Sequence, residues 1–285
     1  MTPERWETDE RDLYCATFDE DADAYDRTRP VAPDVVVDDA VRLARLHPGS
    51  SVVEIGPGTG QATGPLAASR PEDPGPRARS APGRTGPPEP RGGATRLCAH
   101  DVVRGLGAGR RPVRRGVRLH SFHWVDPDVR FAKAAAVLGP TGHLIVLSTP
   151  WVVPDDADRF WLDIQDDWAA VCAERVDPAK KHPDRVADLG SAVRASGWFE
   201  EPSIVRHRFD VTFTADDYAT NLSTQSGTKE LAPEAQAELV ARVRHRVEAQ
   251  GGTVKAHLLA VLTVAKRAGA SPEAHRLNPS GDLPL

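Results

Sequence analysis

The sequence predicts an α/β fold organised around a glycine-rich turn from a strand into a helix. Three observations carry the prediction. Residues 51–55, Ser-Val-Val-Glu-Ile, read as a short buried strand that runs straight into Gly56-Pro57-Gly58-Thr59-Gly60, with a helix start at Gln61-Ala62-Thr63. A second apolar run, His143-Leu144-Ile145-Val146-Leu147, follows a helical stretch and a Gly139-Pro140-Thr141-Gly142 turn. A chain of 285 residues is long enough for one large domain with an appended cap and a sizeable core.

The remaining elements follow in order. Residues 12–30 read as a loop or short helix ending in Tyr25-Asp26-Arg27-Thr28-Arg29-Pro30, and residues 35–46 space their apolar positions for an amphipathic helix that His47-Pro48-Gly49 stops. A helix is predicted from Asp126-Pro127 to Leu138. Beyond Pro150, residues 155–174 form an amphipathic helix rich in Trp, and 183–196 another. Residues 204–213 alternate as a strand, 214–222 and 233–249 are helical, and 253–265 form a second long strand. On this reading residues 1–266 form a single domain, with cap and substrate-side elements at about 151–250, and the polar, proline-containing residues 267–285 are a disordered tail.

Composition narrows the function classes. A hydrophobic fraction of 40% and a charged fraction of 27% are those of a globular protein, and a formal charge of -5 argues against nucleic-acid or anionic-membrane binding. Residues 1–10 are polar and acidic, unlike a secretory signal, and no apolar run is long enough to span a membrane. Cys15, Cys98 and Cys172 lie far apart, which argues against a zinc site or a disulfide framework, and no other metal-ligand pattern stands out. A cytoplasmic protein without a metal is expected.

The glycine turn is the strongest functional signal. Glycines let the backbone approach a ligand closely, and the N–H groups and dipole at a helix start suit an anionic group. A dinucleotide fingerprint requires Gly-x-Gly-x-x-Gly, but here the third glycine is Gly60 and Gln61 takes the next position. The spacing favours S-adenosylmethionine over a nicotinamide cofactor.

Four motifs in order then resemble a family of class I S-adenosylmethionine-dependent methyltransferases acting mostly on small molecules. They are Tyr25-Asp26-Arg27-Thr28-Arg29-Pro30, residues 53–61 around the glycine turn, Phe122-His123-Trp124-Val125-Asp126-Pro127, and residues 138–146 around the Gly-Pro-Thr-Gly turn. Phe213-Thr214-Ala215-Asp216-Asp217-Tyr218 and Leu222-Ser223-Thr224-Gln225-Ser226 also look like this family, so the resemblance covers residues 18–69 and 120–266. It implies a Rossmann-like, seven-stranded, mostly parallel sheet with helices on both faces, a C-terminal helical cap, and ligand at the carboxyl ends of the strands.

The resemblance also implies site residues. Gly56, Gly58, Thr59, Gly60 and Gln61 would line the cofactor, and Glu54 would order the turn or meet the cofactor amine. Tyr25 and Arg29 would cover the cofactor; the plainer reading is a surface loop with a cation near an aromatic ring. Phe122, His123 and Trp124 fall where cofactor and acceptor meet. Transfer from a sulfonium is a direct displacement, so alignment and water exclusion dominate and a base is needed only when the acceptor must lose a proton. His123 is the candidate base, against a packing or hydrogen-bonding role. Trp151, Phe160, Trp161 and Trp168 would line an acceptor pocket or form ordinary core.

One stretch departs from the family. Roughly three fifths of residues 70–118 are Arg, Pro or Gly, with no aromatic residue, so an irregular segment is expected where the family has its second and third strands. The second strand would end in the acid that grips the cofactor ribose; Glu72 and Asp73 stand nearby, in a Pro-rich context unlike a strand end. A pair of compensating frameshifts accounts for a replacement of this composition in a GC-rich reading frame, and a genuine disordered insert is the alternative. A non-catalytic methyltransferase remnant and a nicotinamide-dependent oxidoreductase are the rival functions. Gln61 speaks against the second.

Overall fold

A computed structural model describes residues 24, 27–47, 50, 53–55, 117–119, 122, 125–172 and 178–269, with 53–55 and 117–119 described by their backbone. The described elements are α1 (Asp34–Leu43), β1 (Val53–Ile55), β2 (Val117–Leu119), α2 (Arg130–Val137), β3 (His143–Ser148), β4 (Trp151–Val152), α3 (Phe160–Cys172), α4 (Gly190–Ser196), β5 (Ser203–Thr214), α5 (Ala215–Ser223), α6 (Ser226–Lys229), α7 (Pro233–Ala249) and β6 (Thr253–Lys266). Two short 3-10 turns, Pro178–Lys181 and Pro183–Arg185, precede α4.

The strands form one mixed sheet. β1, β2 and β3 are parallel neighbours in that order, and β6 lies antiparallel between β3 and β5. Parallel strands need covered faces, and β3 is buried from His143 to Leu147. On one face Ile145 and Leu147 lie opposite Val264 and Leu262 and pack under Val36, Ala40 and Ala44 of α1. On the other, Leu144 and Val146 pack with Phe131, Ala134 and Val137 of α2 and Val193 of α4. Helices therefore cover both faces, as predicted.

β6 extends this sheet beyond the end of β3. Ser148 pairs with Val261 and Trp151 with Leu258, so pairing resumes in unchanged register across Thr149 and Pro150. Pro150 has no N–H for the ladder, but its carbonyl accepts from the Leu259 amide at 3.0 Å. The overhanging ends of β5 and β6 carry a second core, in which Phe213, Val254, Ala256 and Leu258 meet α3, α5 and α7. This is the cap.

Several boundaries differ from the sequence reading. α2 starts at Arg130 because Asp126 organises a turn first: its carbonyl accepts from the Val129 and Arg130 amides, and its carboxylate from the Asp128 amide at 3.0 Å. α3 starts at Phe160, whose amide bonds to the Asp158 carboxylate at 2.7 Å. The stretch predicted as one helix from 183 to 196 divides into a 3-10 turn and α4, with the Asp188 carboxylate accepting from the Gly190 amide. Gly197 closes α4 at a φ of 68°, a conformation open to glycine. Composition placed Val117 and Arg118 in the irregular stretch, yet they open β2, pairing with Val53 and Glu54 on one side and Leu144 and Ile145 on the other. The rest of residues 70–116, and the tail from 270 onward, lie outside the described residues.

Candidate active site

The candidate site is set by the parallel strands. Ile55, Leu119 and Val146 stand side by side in register near the carboxyl ends of β1, β2 and β3. The glycine turn begins at the next residue after Ile55, the Phe-His-Trp motif three residues after Leu119, and Trp151 three residues after Ser148. Three motifs distant in sequence thus leave one edge of the sheet, and that edge is where open α/β sheets bind ligands.

Among the predicted site residues, Arg29, Glu54 and Phe122 lie within the described part. Glu54 occupies the middle of β1, opposite Arg118. Phe122 is 2% exposed and belongs to the core under α2, with its ring edge-on to Phe131 at 5.2 Å and the Arg130 guanidinium above it. Tyr25, Gly56, Gly58, Thr59, Gly60, Gln61, His123 and Trp124 lie outside the described residues.

Arg29 is held from the far end of the chain. Its guanidinium donates to the Thr224 carbonyl at 3.0 Å, while the Asn221 side-chain amide donates to the Thr28 carbonyl at 2.9 Å. The Asn221 side-chain oxygen accepts from Gln225 at 2.9 Å, and the Thr224 hydroxyl donates to the Asn221 carbonyl at 2.7 Å. The Arg-Pro segment and the Leu222–Ser226 region, two family-like motifs, are therefore joined. Sequence reading missed Asn221. Its signal was a polar residue on the helix face that carries Tyr218 and Leu222, where an apolar side chain is expected.

The tryptophans divide. Phe160 and Trp161 are buried cap core, and the Trp161 indole N–H is bonded to the Lys255 carbonyl at 3.0 Å. Trp168 packs against the same cluster. Trp151 is partly exposed; it stacks on Phe213 at 5.7 Å and 20°, and lies 5.8 Å from the Tyr218 ring. Burial pushes the Tyr218 phenol well above its ordinary pKa, so it stays protonated. Among the described residues, no three His, Cys, Asp or Glu side chains group as a metal site, and no helix is long and apolar enough to cross a membrane.

No family model matches the chain, and no curated protein sequence matches it. Among solved structures, it is similar to a candidate type II methyltransferase from Anaeromyxobacter dehalogenans, with a TM-score of 0.52 and 17% identity over 85% of this chain and 99% of that one. Looser likenesses, which carry no weight here, are a cyclopropane-fatty-acyl-phospholipid synthase-like protein from Lactobacillus casei (TM-score 0.40, 15% identity, 90% and 100% covered) and a geranyl diphosphate methyltransferase in complex with S-adenosylmethionine (TM-score 0.31, 14% identity, 93% of each chain). At such identities the likeness speaks for the architecture alone: the chain has a methyltransferase fold.

Proposed function

We propose that this chain is an S-adenosylmethionine-dependent methyltransferase acting on a small-molecule acceptor. The observation that carries the reading is the row Ile55, Leu119 and Val146, from whose edge the glycine turn, the Phe-His-Trp motif and Trp151 all depart. The donor set fits by placement: a glycine-rich stretch directly after the parallel strand β1, and an N-terminal arginine segment fastened beside the cap. The three dispersed cysteines fit a reducing, cytoplasmic setting.

S-adenosylmethionine, when bound, supplies an electrophilic methyl group. In this reading Gly56, Gly58 and Gly60 admit the ligand against the backbone, Thr59 and Gln61 complete the turn, and Glu54 orders it from β1. Tyr25 and Arg29 cover the site, and Phe122 anchors the start of the Phe-His-Trp motif in the core. Trp124 walls the site and excludes water. His123 takes a proton where the acceptor must lose one.

Glu72 and Asp73, the acids nearest the place of the ribose carboxylate, stand in a Pro-rich context unlike a strand end, which supports compensating frameshifts and the second reading, a remnant with little cofactor affinity. Calorimetric titration with S-adenosylmethionine tests both. The Gly58→Val chain, folded by circular dichroism, is expected to lose binding, and unchanged binding would discard the site. Retranslating the coding DNA in all three frames across residues 66–122 should recover a strand ending in Glu or Asp. A carboxylate on two hydroxyls adds roughly 1.5 to 3 kcal/mol per bond, so the restored chain should bind about two to four decades more tightly.

A further inference from the structure

The aromatic cluster of the cap contains two polar groups that make no hydrogen bond among the described residues. Trp151, Phe160, Trp161, Phe213 and Tyr218 have ring centroids between 5.1 and 5.9 Å apart in successive pairs. Of the three polar tips in this cluster, the Trp161 N–H is spent on the Lys255 carbonyl. The Tyr218 hydroxyl and the Trp151 indole N–H make no hydrogen bond among the described residues. Tyr218 is nevertheless only 4% exposed. Its hydroxyl, however, is not among the enclosed side-chain atoms left without a partner, so the oxygen keeps an opening to solvent through which a ligand could reach it.

Position separates this pair from the rest of the cluster. Trp151 follows the carboxyl end of β3 by three residues and pairs with Leu258 on the overhanging part of β6. Tyr218 lies one helical turn before Asn221, the residue that holds Thr28 and with it the Arg29 segment. The two groups thus lie between the sheet edge and the fastened N-terminal segment. Trp151 also stacks on Phe213 through one face and is only partly buried.

We infer that Trp151 and Tyr218 form the acceptor subsite, which takes a planar aromatic molecule bearing an oxygen: the ring stacks on the Trp151 indole and the oxygen bonds to the Tyr218 hydroxyl. An apolar wall with few polar groups orients a ligand through those groups. Protonated at any working pH, Tyr218 is a hydrogen-bond donor to that oxygen. This inference rests on the methyltransferase reading for the word acceptor, but the binding site itself does not depend on it.

The test uses the full chain without cofactor, titrated calorimetrically with 2-naphthol and, as a non-planar alcohol, with cyclohexanol. Saturable binding of 2-naphthol and none of cyclohexanol is expected. Tyr218→Phe should weaken 2-naphthol about tenfold, the worth of one hydrogen bond, and Trp151→Leu at least as much. The melting temperature of Tyr218→Phe should not fall, since its oxygen makes no hydrogen bond among the described residues. Absence of 2-naphthol binding by the unaltered chain, binding by both variants as tight as that of the unaltered chain, or a drop of several degrees in Tyr218→Phe would each overturn the inference. Naphthol binding that responds to the variants in a chain that binds no S-adenosylmethionine would keep the aromatic site and remove the methyltransferase reading.

Discussion

The side-chain amide of Asn221 reaches across 193 residues of sequence to the carbonyl of Thr28, at 2.9 Å, and both residues are buried. The bond fastens the segment before α1 to the C-terminal turn of α5. Replacing Asn221 by Ala leaves the Thr28 carbonyl and the Gln225 amide without this partner. A loss of about 1–3 kcal/mol is expected in urea unfolding. Trypsin should then cut faster after Arg27, and unchanged cleavage would show that the segment is held by other contacts.

The cap contains a second long-range polar contact. Asp167 on α3, 6% exposed, accepts from Arg246 on α7 through both oxygens, at 2.5 and 3.0 Å. Arg246→Met should destabilise the chain by about 2 kcal/mol, less than the roughly 3–5 kcal/mol of a fully buried pair because the arginine still reaches water. Adding Asp167→Leu should recover most of the loss. A double variant no better than the single one would contradict the desolvation argument.

Gly142, in the turn before β3, has no room for a methyl group. A Cβ there would come within 2.8 Å of the Leu138 Cβ and 3.0 Å of the Gly139 carbonyl oxygen. Gly142→Ala is therefore expected to cost about 1–3 kcal/mol through displaced packing. Differential scanning calorimetry at neutral pH would register it as a lower melting temperature.

His143 gives stability an acid limb. It is buried at the start of β3, and its pKa lies below the ordinary 6.5, first because of burial and then because Arg45 and Lys266 are nearby. The unfolded chain therefore binds the proton more readily, so this contribution is complete above pH 6.5 and is lost as pH falls from there through the folded value. His143→Leu should unfold at nearly the same urea concentration as the unaltered chain at pH 8, and at a higher one at pH 5.5. Parallel behaviour of the two at both values would show that His143 does not titrate with unfolding.

Local pattern made much of the fold legible. The run from Leu144 to Leu147 is apolar throughout because helices cover both of its faces, whereas β5 alternates in burial because it lies on the far side of β6 from the rest of the sheet. α7 begins at Pro233 and ends at Ala249, the bounds its proline and its Gly251-Gly252 turn announce. β4 was not legible, since two residues after a proline have no period to read. Its pairing comes from β6, which continues past Ser148 in unchanged register.

By itself the sequence determined the strand before the glycine-rich stretch, the order of the motifs and the nature of most described elements, because these follow from backbone propensity and from apolar spacing within about a dozen residues. The tertiary structure alone decided that Trp151 stays partly exposed, that the Tyr218 ring is enclosed while its hydroxyl makes no hydrogen bond among the described residues, and that Asn221 closes on Thr28. Those outcomes depend on contacts between residues dozens to hundreds of positions apart, and such contacts leave no periodic trace in the chain; they exist only once β6 has brought the two cores onto one strand.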